Sequence, residues 1–264
     1  MPQSLAGSWA LILGASSGFG AATARALAAR GMNIFGVHLD RKPNMPMVND
    51  LVEELRATGV RVCYFNSNAA DAENRRLVLD DMGEEMGDGP KLRVFLHSLA
   101  FGTLKPYIGE TGQVLTQAQM QMTLDVMAHS LVYWVQDLVQ RRFFEANSRV
   151  FAMTSSGGHV VWPYYGAVSA AKAALESHIR QLALELAPKQ ITANGILAGV
   201  TDTPALRQIP GHDHMLEVAR GRNPMGRLTQ PGDVAGAIAC FSQPECYWLN
   251  GSILRVDGGE DVVG

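Results

Sequence analysis

Short apolar runs rich in Val, Ile, Leu and Phe alternate with longer segments of helical period along almost the whole chain. Such alternation is typical of parallel strands joined by right-handed helical crossovers, so it predicts an α/β fold with one doubly wound parallel sheet. The runs contain few polar residues, as expected of strands that helices cover on both faces. We expect about seven strands, near 8–13, 33–39, 60–65, 92–97, 149–154, 190–196 and 252–256, and helices near 18–30, 46–57, 71–86, 114–145, 165–187 and 231–242.

The domain organisation follows from what interrupts this pattern. No linker-like stretch, low-complexity tract or internal repeat divides the 264 residues, so the sequence predicts a single domain over 1–264. Between 199 and 228 the helical period fails and prolines and glycines accumulate, which predicts a loop with short helical pieces. We expect residues 203–225 to form a substrate lid; an irregular surface loop is the alternative.

Charge and hydropathy restrict the partners. The chain has 22 basic and 25 acidic residues, a formal net charge of −3 and no block of like charges, so neither nucleic acid nor an anionic membrane surface is expected to bind it. No apolar stretch approaches the roughly 20 residues of a membrane span, which favours a cytoplasmic location. The sequence predicts no metal site, since His212 and His214 lack further ligands at suitable spacing.

The main local signal for a ligand follows the first predicted strand. Leu11-Ile12-Leu13 runs into Gly14-Ala15-Ser16-Ser17-Gly18-Phe19-Gly20 and then an alanine-rich helix. A diphosphate needs unencumbered backbone, free N–H donors and the positive end of a helix dipole, and glycines at these positions permit all three. A tight turn without a ligand is the alternative. The position of these glycines in the first βαβ unit favours a Rossmann-like dinucleotide-binding turn.

The glycine spacing Gly-x-x-x-Gly-x-Gly resembles that of the short-chain dehydrogenase/reductase family. The resemblance extends over essentially the whole chain, through Asn68-Ala69, Ala198-Gly199-Val200-Thr201-Asp202-Thr203, Asn223-Pro224-Met225-Gly226-Arg227 and Val256-Asp257-Gly258-Gly259, with Ala198 where the family has proline. It implies a nicotinamide dinucleotide cofactor. The residues that it implies for cofactor binding are Gly14, Ser16, Ser17, Gly18, Phe19, Gly20, His38, Arg41, Asn68, Ala69, Ser98, Ala100, Lys172, Gly199, Thr201 and Thr203.

The spacing of tyrosine and lysine on the predicted helix over 165–187 departs from most of the family. Most members have a tyrosine four residues before the lysine, but that position is Val168, which cannot donate a proton. Tyr165 stands seven residues before Lys172. Seven helical steps return to within about 20° of the same face, about 10 Å along the axis, so the two side chains can line one cleft. Tyr164 is the alternative donor if the helix begins one residue earlier.

This Tyr-x6-Lys arrangement resembles the enoyl-acyl-carrier-protein reductases, most of all the NADPH-dependent enoyl reductase III. The stretch His97-Ser98-Leu99-Ala100 is also similar to enoyl reductases, and Met127 occupies the position of a proton-relay asparagine in carbonyl reductases. Ser155 lies where carbonyl reductases hold a catalytic serine, so it is expected either to touch the substrate carbonyl or to satisfy local backbone. We expect His97 to be buried and bonded to backbone.

The resemblance implies hydride transfer to the double bond of a 2-enoyl thioester, carried by an acyl-carrier protein or coenzyme A. Tyr165 would stabilise the enolate oxygen, and either this phenol or water would protonate the α-carbon. Lys172 would hold the nicotinamide ribose, and its charge would favour the phenolate form of the tyrosine. A carbonyl reductase or alcohol dehydrogenase and a non-catalytic dinucleotide-binding regulator remain alternatives. The family also implies a homotetramer.

The choice of nucleotide depends on the residues after the second strand. Counting from Gly31, His38 takes the position that usually carries a ribose-binding aspartate. Asp40 would repel the 2′-phosphate of NADPH, whereas Arg41 and Lys42 would attract it. The balance of charges favours NADPH over NADH, although Ser17 stands where many NADP enzymes carry arginine.

Overall fold

A computed structural model describes residues 5–89, 91–110 and 112–263. Its seven strands form one sheet in the order β3-β2-β1-β4-β5-β6-β7, and all pairings are parallel. The strands are β1 (Trp9–Leu13), β2 (Asn33–His38), β3 (Val62–Asn66), β4 (Leu92–His97), β5 (Phe144–Ser155), β6 (Thr192–Ala198) and β7 (Ile253–Val256). The helices are α1 (Gly18–Ala28), α2 (Met45–Arg56), α3 (Ala72–Met86), α4 (Gln117–Leu124), α5 (Ser130–Gln140), α6 (Gly166–Leu186), α7 (His212–Arg222) and α8 (Pro231–Phe241).

Helices cover both faces of the sheet, which confirms the predicted Rossmann-like doubly wound domain. Every residue of β1, β4 and β6 is buried. Side chains alternate between two cores: Leu11 and Leu13 pack in one and Ala10 and Ile12 in the other. The apolar character of the central strands therefore follows from burial on both sides.

The order of the strands reverses between β1 and β4, and this reversal positions the functional site. β2 and β3 lie to one side of β1, and β4 to β7 lie to the other. The loops after β1 and β4 consequently separate at the carboxyl edge of the sheet. In open α/β sheets this crevice is where ligands bind.

The predicted helix over 114–145 is wrong in extent. α4 and α5 are joined by a π-helical turn, Asp125–His129, and the chain leaves the helix at Arg142, which has a φ of +58°. Phe143 then accepts a hydrogen bond from the Leu92 N–H through its carbonyl, so β5 begins at Phe144, five residues before the predicted start. Left-handed backbone at a non-glycine residue gives no sequence signal.

The segment predicted as a loop with short helical pieces contains one longer helix, α7, of 11 residues. Gly211 caps its N-terminus with a φ of +79°. Within the described residues, no helix is both long and apolar enough to cross a membrane.

Candidate active site

The glycine turn after β1 forms a cradle in which two positions admit no side chain. Gly14 has a φ of +80°, and a Cβ there would overlap the carbonyl oxygen of Ser98 after β4. A Cβ on Gly20 would overlap the carbonyl oxygen of Gly14. α1 begins at Gly18 with no side-chain cap from Ser17, so its first N–H groups are available to a ligand. The turn fits the diphosphate of a dinucleotide.

The loop after β6 faces this cradle. A Cβ on Gly18 would lie 3.6 Å from the methyl group of Thr203. The Thr201 hydroxyl donates to the Gly199 carbonyl at 3.0 Å, and the Thr203 hydroxyl accepts from the Leu206 N–H at 3.2 Å. These side chains stabilise the loop, whose residues close the cleft opposite α1.

The remaining residues expected to bind the cofactor lie at the same edge of the sheet. Asn68 is exposed after β3, while Ala69 is buried and its carbonyl accepts from the Trp134 indole at 2.8 Å. Ser98 donates its N–H to the Leu13 carbonyl at 3.0 Å, which ties the loop after β4 to β1. Ala100 is exposed beyond it, and Ser16, Ser17 and Phe19 are half-buried in the turn.

An aspartate and a histidine form a contact at the carboxyl end of β2. His38 is buried and its Nδ1 lies 3.0 Å from a carboxylate oxygen of Asp40. Burial alone would raise the pKa of Asp40, but hydrogen bonds from Ser16, Asn44 and His38 hold it below its ordinary value. Arg41 is exposed. The ionised carboxylate therefore lies beside the glycine turn, whereas the cation that follows it in sequence is exposed to solvent.

Tyr165 and Ser155 meet at the carboxyl end of β5. A Cβ on Gly157 would lie 2.5 Å from the Tyr165 ring and 3.2 Å from the Ser155 hydroxyl, so both line the same small space. Burial raises the pKa of Tyr165, and the nearby Ser155 hydroxyl lowers it by less. The Ser155 oxygen is buried and makes no hydrogen bond of good geometry with any described residue. Tyr164, with a φ of +65°, is exposed.

Lys172 lies inside the protein, two helical turns beyond Tyr165. Its Nζ donates to the Met153 carbonyl of β5 at 2.7 Å, and the residue is 6% exposed. Burial lowers the pKa of Lys172 to about 8, against the opposing charge of Glu176. The expected shift of Tyr165 towards phenolate is wrong: burial raises the pKa of this phenol and keeps it protonated.

His97 ends β4 behind the lysine. It is buried as expected, its pKa reflects hydrogen bonding to backbone, and the hydroxyl of Ser130 lies 2.8 Å from its Nε2. Ser130 in turn donates to the Val126 carbonyl in the π-helical turn. Burial, and then the charge of Lys172, lower the pKa of His97 to about 3. The ring is neutral and serves the packing of the turn, where Met127 is buried.

Two features of the site were missed by sequence reasoning. Thr154 donates to a carboxylate oxygen of Glu176 at 2.7 Å, which joins the end of β5 to α6. Tyr107 packs on the start of α6, since a Cβ on Gly166 would lie 2.5 Å from its ring. The four-residue spacing from Lys172 to Glu176 indicates that the two residues share a helix face, so the sequence contains a signal for Glu176. The loop that contains Tyr107 has no pattern that would indicate its contact with α6.

Fold and cleft together define a nicotinamide-dependent oxidoreductase, and comparison with known proteins agrees. Residues 14–260 match a family model described as Enoyl-(Acyl carrier protein) reductase. The chain belongs to the short-chain dehydrogenase/reductase family.

Relatives within this family differ in substrate. The chain is 27% identical over 263 residues to cis-4-hydroxycyclohexanecarboxylate dehydrogenase of Sinomonas cyclohexanicum, covering 100% of both. A short-chain dehydrogenase of Burkholderia cenocepacia in complex with NADP has a TM-score of 0.82 and 26% identity, over 98% of this chain and 100% of that one. An enoyl-[acyl-carrier-protein] reductase (NADH) of Aquifex aeolicus has the same fold, with a TM-score of 0.86, 22% identity and 99% coverage of both chains.

Proposed function

We propose that this oxidoreductase reduces the double bond of a 2-enoyl thioester carried by an acyl-carrier protein or coenzyme A. The observation that carries the proposal is the position of the acid. Tyr165 lies half-buried beside Ser155, whereas Val168, four residues before Lys172, is packed in the core. This spacing is that of the enoyl-acyl-carrier-protein reductases, most of all enoyl reductase III, and the description of the matching family model supports the same activity.

The residues present suit this chemistry. A bound reduced nicotinamide would supply the hydride that adds to the β-carbon of the substrate. The Tyr165 hydroxyl, which burial keeps protonated, would donate a hydrogen bond to the thioester oxygen, where negative charge collects. Such donors are worth about 3 kcal/mol of transition-state energy. Lys172 would hold the ribose hydroxyls, and the unpartnered hydroxyl of Ser155 is available to the same substrate oxygen.

The contacts of Asp40 favour NADH over NADPH as the cofactor. This differs from the expectation of NADPH, which is based on the two cations Arg41 and Lys42 that follow Asp40 in the sequence. Its carboxylate interacts with Ser16 of the glycine turn and with His38, where it can accept from ribose hydroxyls and would repel a 2′-phosphate. Arg41 and Lys42 are exposed. Titration of the protein with NADH and with NADPH, followed by nicotinamide fluorescence, tests this; tighter binding of NADPH would restore the charge-count expectation.

The activity itself is tested by mixing the protein and either reduced dinucleotide with a 2-enoyl thioester or a 3-ketoacyl thioester. We expect oxidation of the dinucleotide with the enoyl substrate. Turnover of the ketone alone would identify a carbonyl reductase that uses the Tyr165 and Ser155 pair. Tight dinucleotide binding without turnover of either substrate would identify a regulator.

Residues 203–225 supply the lid in this proposal. The indole N–H of Trp162, from the loop before α6, points to the Pro210 carbonyl at 3.5 Å, and its ring lies 6.2 Å from that of His214 in α7. Closure of this segment over the acyl chain would exclude water.

We also propose a homotetramer formed through the outer faces of α5 and α6, where Tyr133 and Leu184 are exposed. Light scattering measures the molar mass and tests this proposal.

A further inference from the structure

The last three residues of β5 each meet one residue at the start or on one face of α6: Tyr165 directly precedes the helix, and Lys172 and Glu176 lie within it. The Met153 carbonyl accepts from Lys172 at 2.7 Å, Thr154 donates to Glu176 at 2.7 Å, and Ser155 lies beside Tyr165. Positions 165, 172 and 176 fall on one helix face because they are separated by seven and four residues. The strand end and the helix are thus joined at three successive points, two of which belong to the proposed active site.

Glu176 contributes the third of these points. Thr154 is 3% exposed, so its hydroxyl needs a partner inside the protein, and the carboxylate supplies one. The same carboxylate oxygen is close to the loop after β5, since a Cβ on Gly158 would lie 3.2 Å from it. The side chain therefore anchors the strand end and packs against the loop that leads to Tyr165.

Glu176 also differs from the other groups around Lys172 in carrying a charge. The β5 neighbour is the Met153 carbonyl. From β4 the neighbour is His97, whose pKa of about 3 leaves it neutral. Burial lowers the pKa of Lys172 to about 8, and among the described residues Glu176 supplies the counter-charge that opposes this effect.

We propose that Glu176 is a positioning residue for cofactor binding: its hydrogen bond to Thr154 anchors the end of β5, and its negative charge holds Lys172 in the ammonium form that grips the ribose. The proposal rests on the role given to Lys172 in the proposed function. It does not depend on the substrate, because it acts before any substrate binds.

The test measures dissociation constants of the full-length protein for NADH and NADPH between pH 6 and pH 10 by nicotinamide fluorescence. In the wild type, affinity should fall as Lys172 loses its proton, with a midpoint near pH 8. In Glu176→Gln, which retains an oxygen for Thr154, the midpoint should move down by about one pH unit. Affinity at pH 8 should then weaken several-fold, while affinity at pH 6 stays within about twofold of wild type.

Three further variants separate charge from structure. Glu185→Gln removes an exposed carboxylate from the same helix and should leave the curve unchanged. Glu176→Asp retains the charge and should keep the wild-type midpoint. Thr154→Val removes the hydrogen bond and should lower affinity at every pH without moving the midpoint.

Two results would overturn the proposal. One is a uniform loss of affinity in Glu176→Gln with the midpoint unmoved, which would mean a purely structural role. The other is an equal shift of the midpoint in Glu176→Asp and Glu176→Gln. If Glu176→Gln does not fold, as judged by circular dichroism, a midpoint that moves in Thr154→Val, which keeps the carboxylate, would overturn the proposal. A wild type that binds dinucleotide but reduces no enoyl thioester would refute the proposed reaction and leave this test intact.

Discussion

Replacing Lys172 by methionine should remove the proposed cofactor contact and stabilise the protein at neutral pH. The lowering of its pKa from 10.5 to about 8 corresponds to about 3 kcal/mol of preference for the uncharged form, since one pKa unit is worth about 1.4 kcal/mol. Methionine fills a similar volume without a charge. The variant also loses the hydrogen bond to the Met153 carbonyl, and this loss cancels about 1.5 kcal/mol of the gain in stability. We therefore expect Lys172→Met to gain about 1–2 kcal/mol in free energy of unfolding at pH 7.

The stability difference between Lys172→Met and the wild type should depend on pH. Between about pH 8 and pH 10.5 the unfolded chain holds a proton on Lys172 that the native protein has released, so native stability rises with pH through this window. The wild type should gain this increment and Lys172→Met should not. The advantage of the variant should consequently disappear as the pH approaches the ordinary lysine value.

Urea denaturation of both proteins at pH 7 and pH 10 measures the difference in free energy of unfolding, and thermal denaturation at pH 7 measures the difference in melting temperature. At pH 7 the melting temperature of Lys172→Met should be about 3–6 °C above that of the wild type. The exposed Lys189 provides the matched control, since Lys189→Met removes a solvated lysine and should change little. A variant less stable than the wild type at pH 7, or a stability difference that is the same at both pH values, would refute the reasoning.

Other changes test separate parts of the site. Tyr165→Phe should lower kcat by about a hundredfold with little change in dinucleotide affinity, whereas Tyr164→Phe, at an exposed residue, should leave kcat near wild type; similar kcat values in the two would reject Tyr165 as the donor. Gly14→Ala should abolish dinucleotide binding and lower the melting temperature well below that of Gly7→Ala, because both have left-handed backbone but only the first meets a carbonyl oxygen. Asp40→Asn should raise the affinity for NADPH relative to NADH by about tenfold, measured by fluorescence titration; an unchanged ratio would remove Asp40 from nucleotide selection.

The sequence predicts the sheet and the glycine turn because both depend on local patterns. The apolar runs of the buried strands and the glycines at 14 and 20 can each be recognised from the residues of one short segment. The face shared by Tyr165 and Lys172 likewise follows from helical spacing alone. These elements lie where the sequence places them.

The remainder of the site depends on how one element registers against another, which local patterns do not encode. The bond from Thr154 to Glu176 requires the end of β5 to align with a particular turn of α6. The bond from His97 to Ser130 requires the π-helical turn. The early start of β5 follows the left-handed residue Arg142.

The absence of a tyrosine at 168 is built into the core rather than being a single substitution. Val168 is 5% exposed, and a Cβ on Gly102 would lie 2.9 Å from its side chain, 3.1 Å from the Met127 sulfur and 2.7 Å from the Thr123 methyl group. Gly102 leaves room for these three apolar groups, and Met127 stands at the position of the relay asparagine of carbonyl reductases. A side chain at 102 would collide with all three groups. The two departures from the carbonyl reductases, at 127 and 168, therefore meet at one glycine, which supports the proposal that Tyr165 rather than residue 168 is the acid.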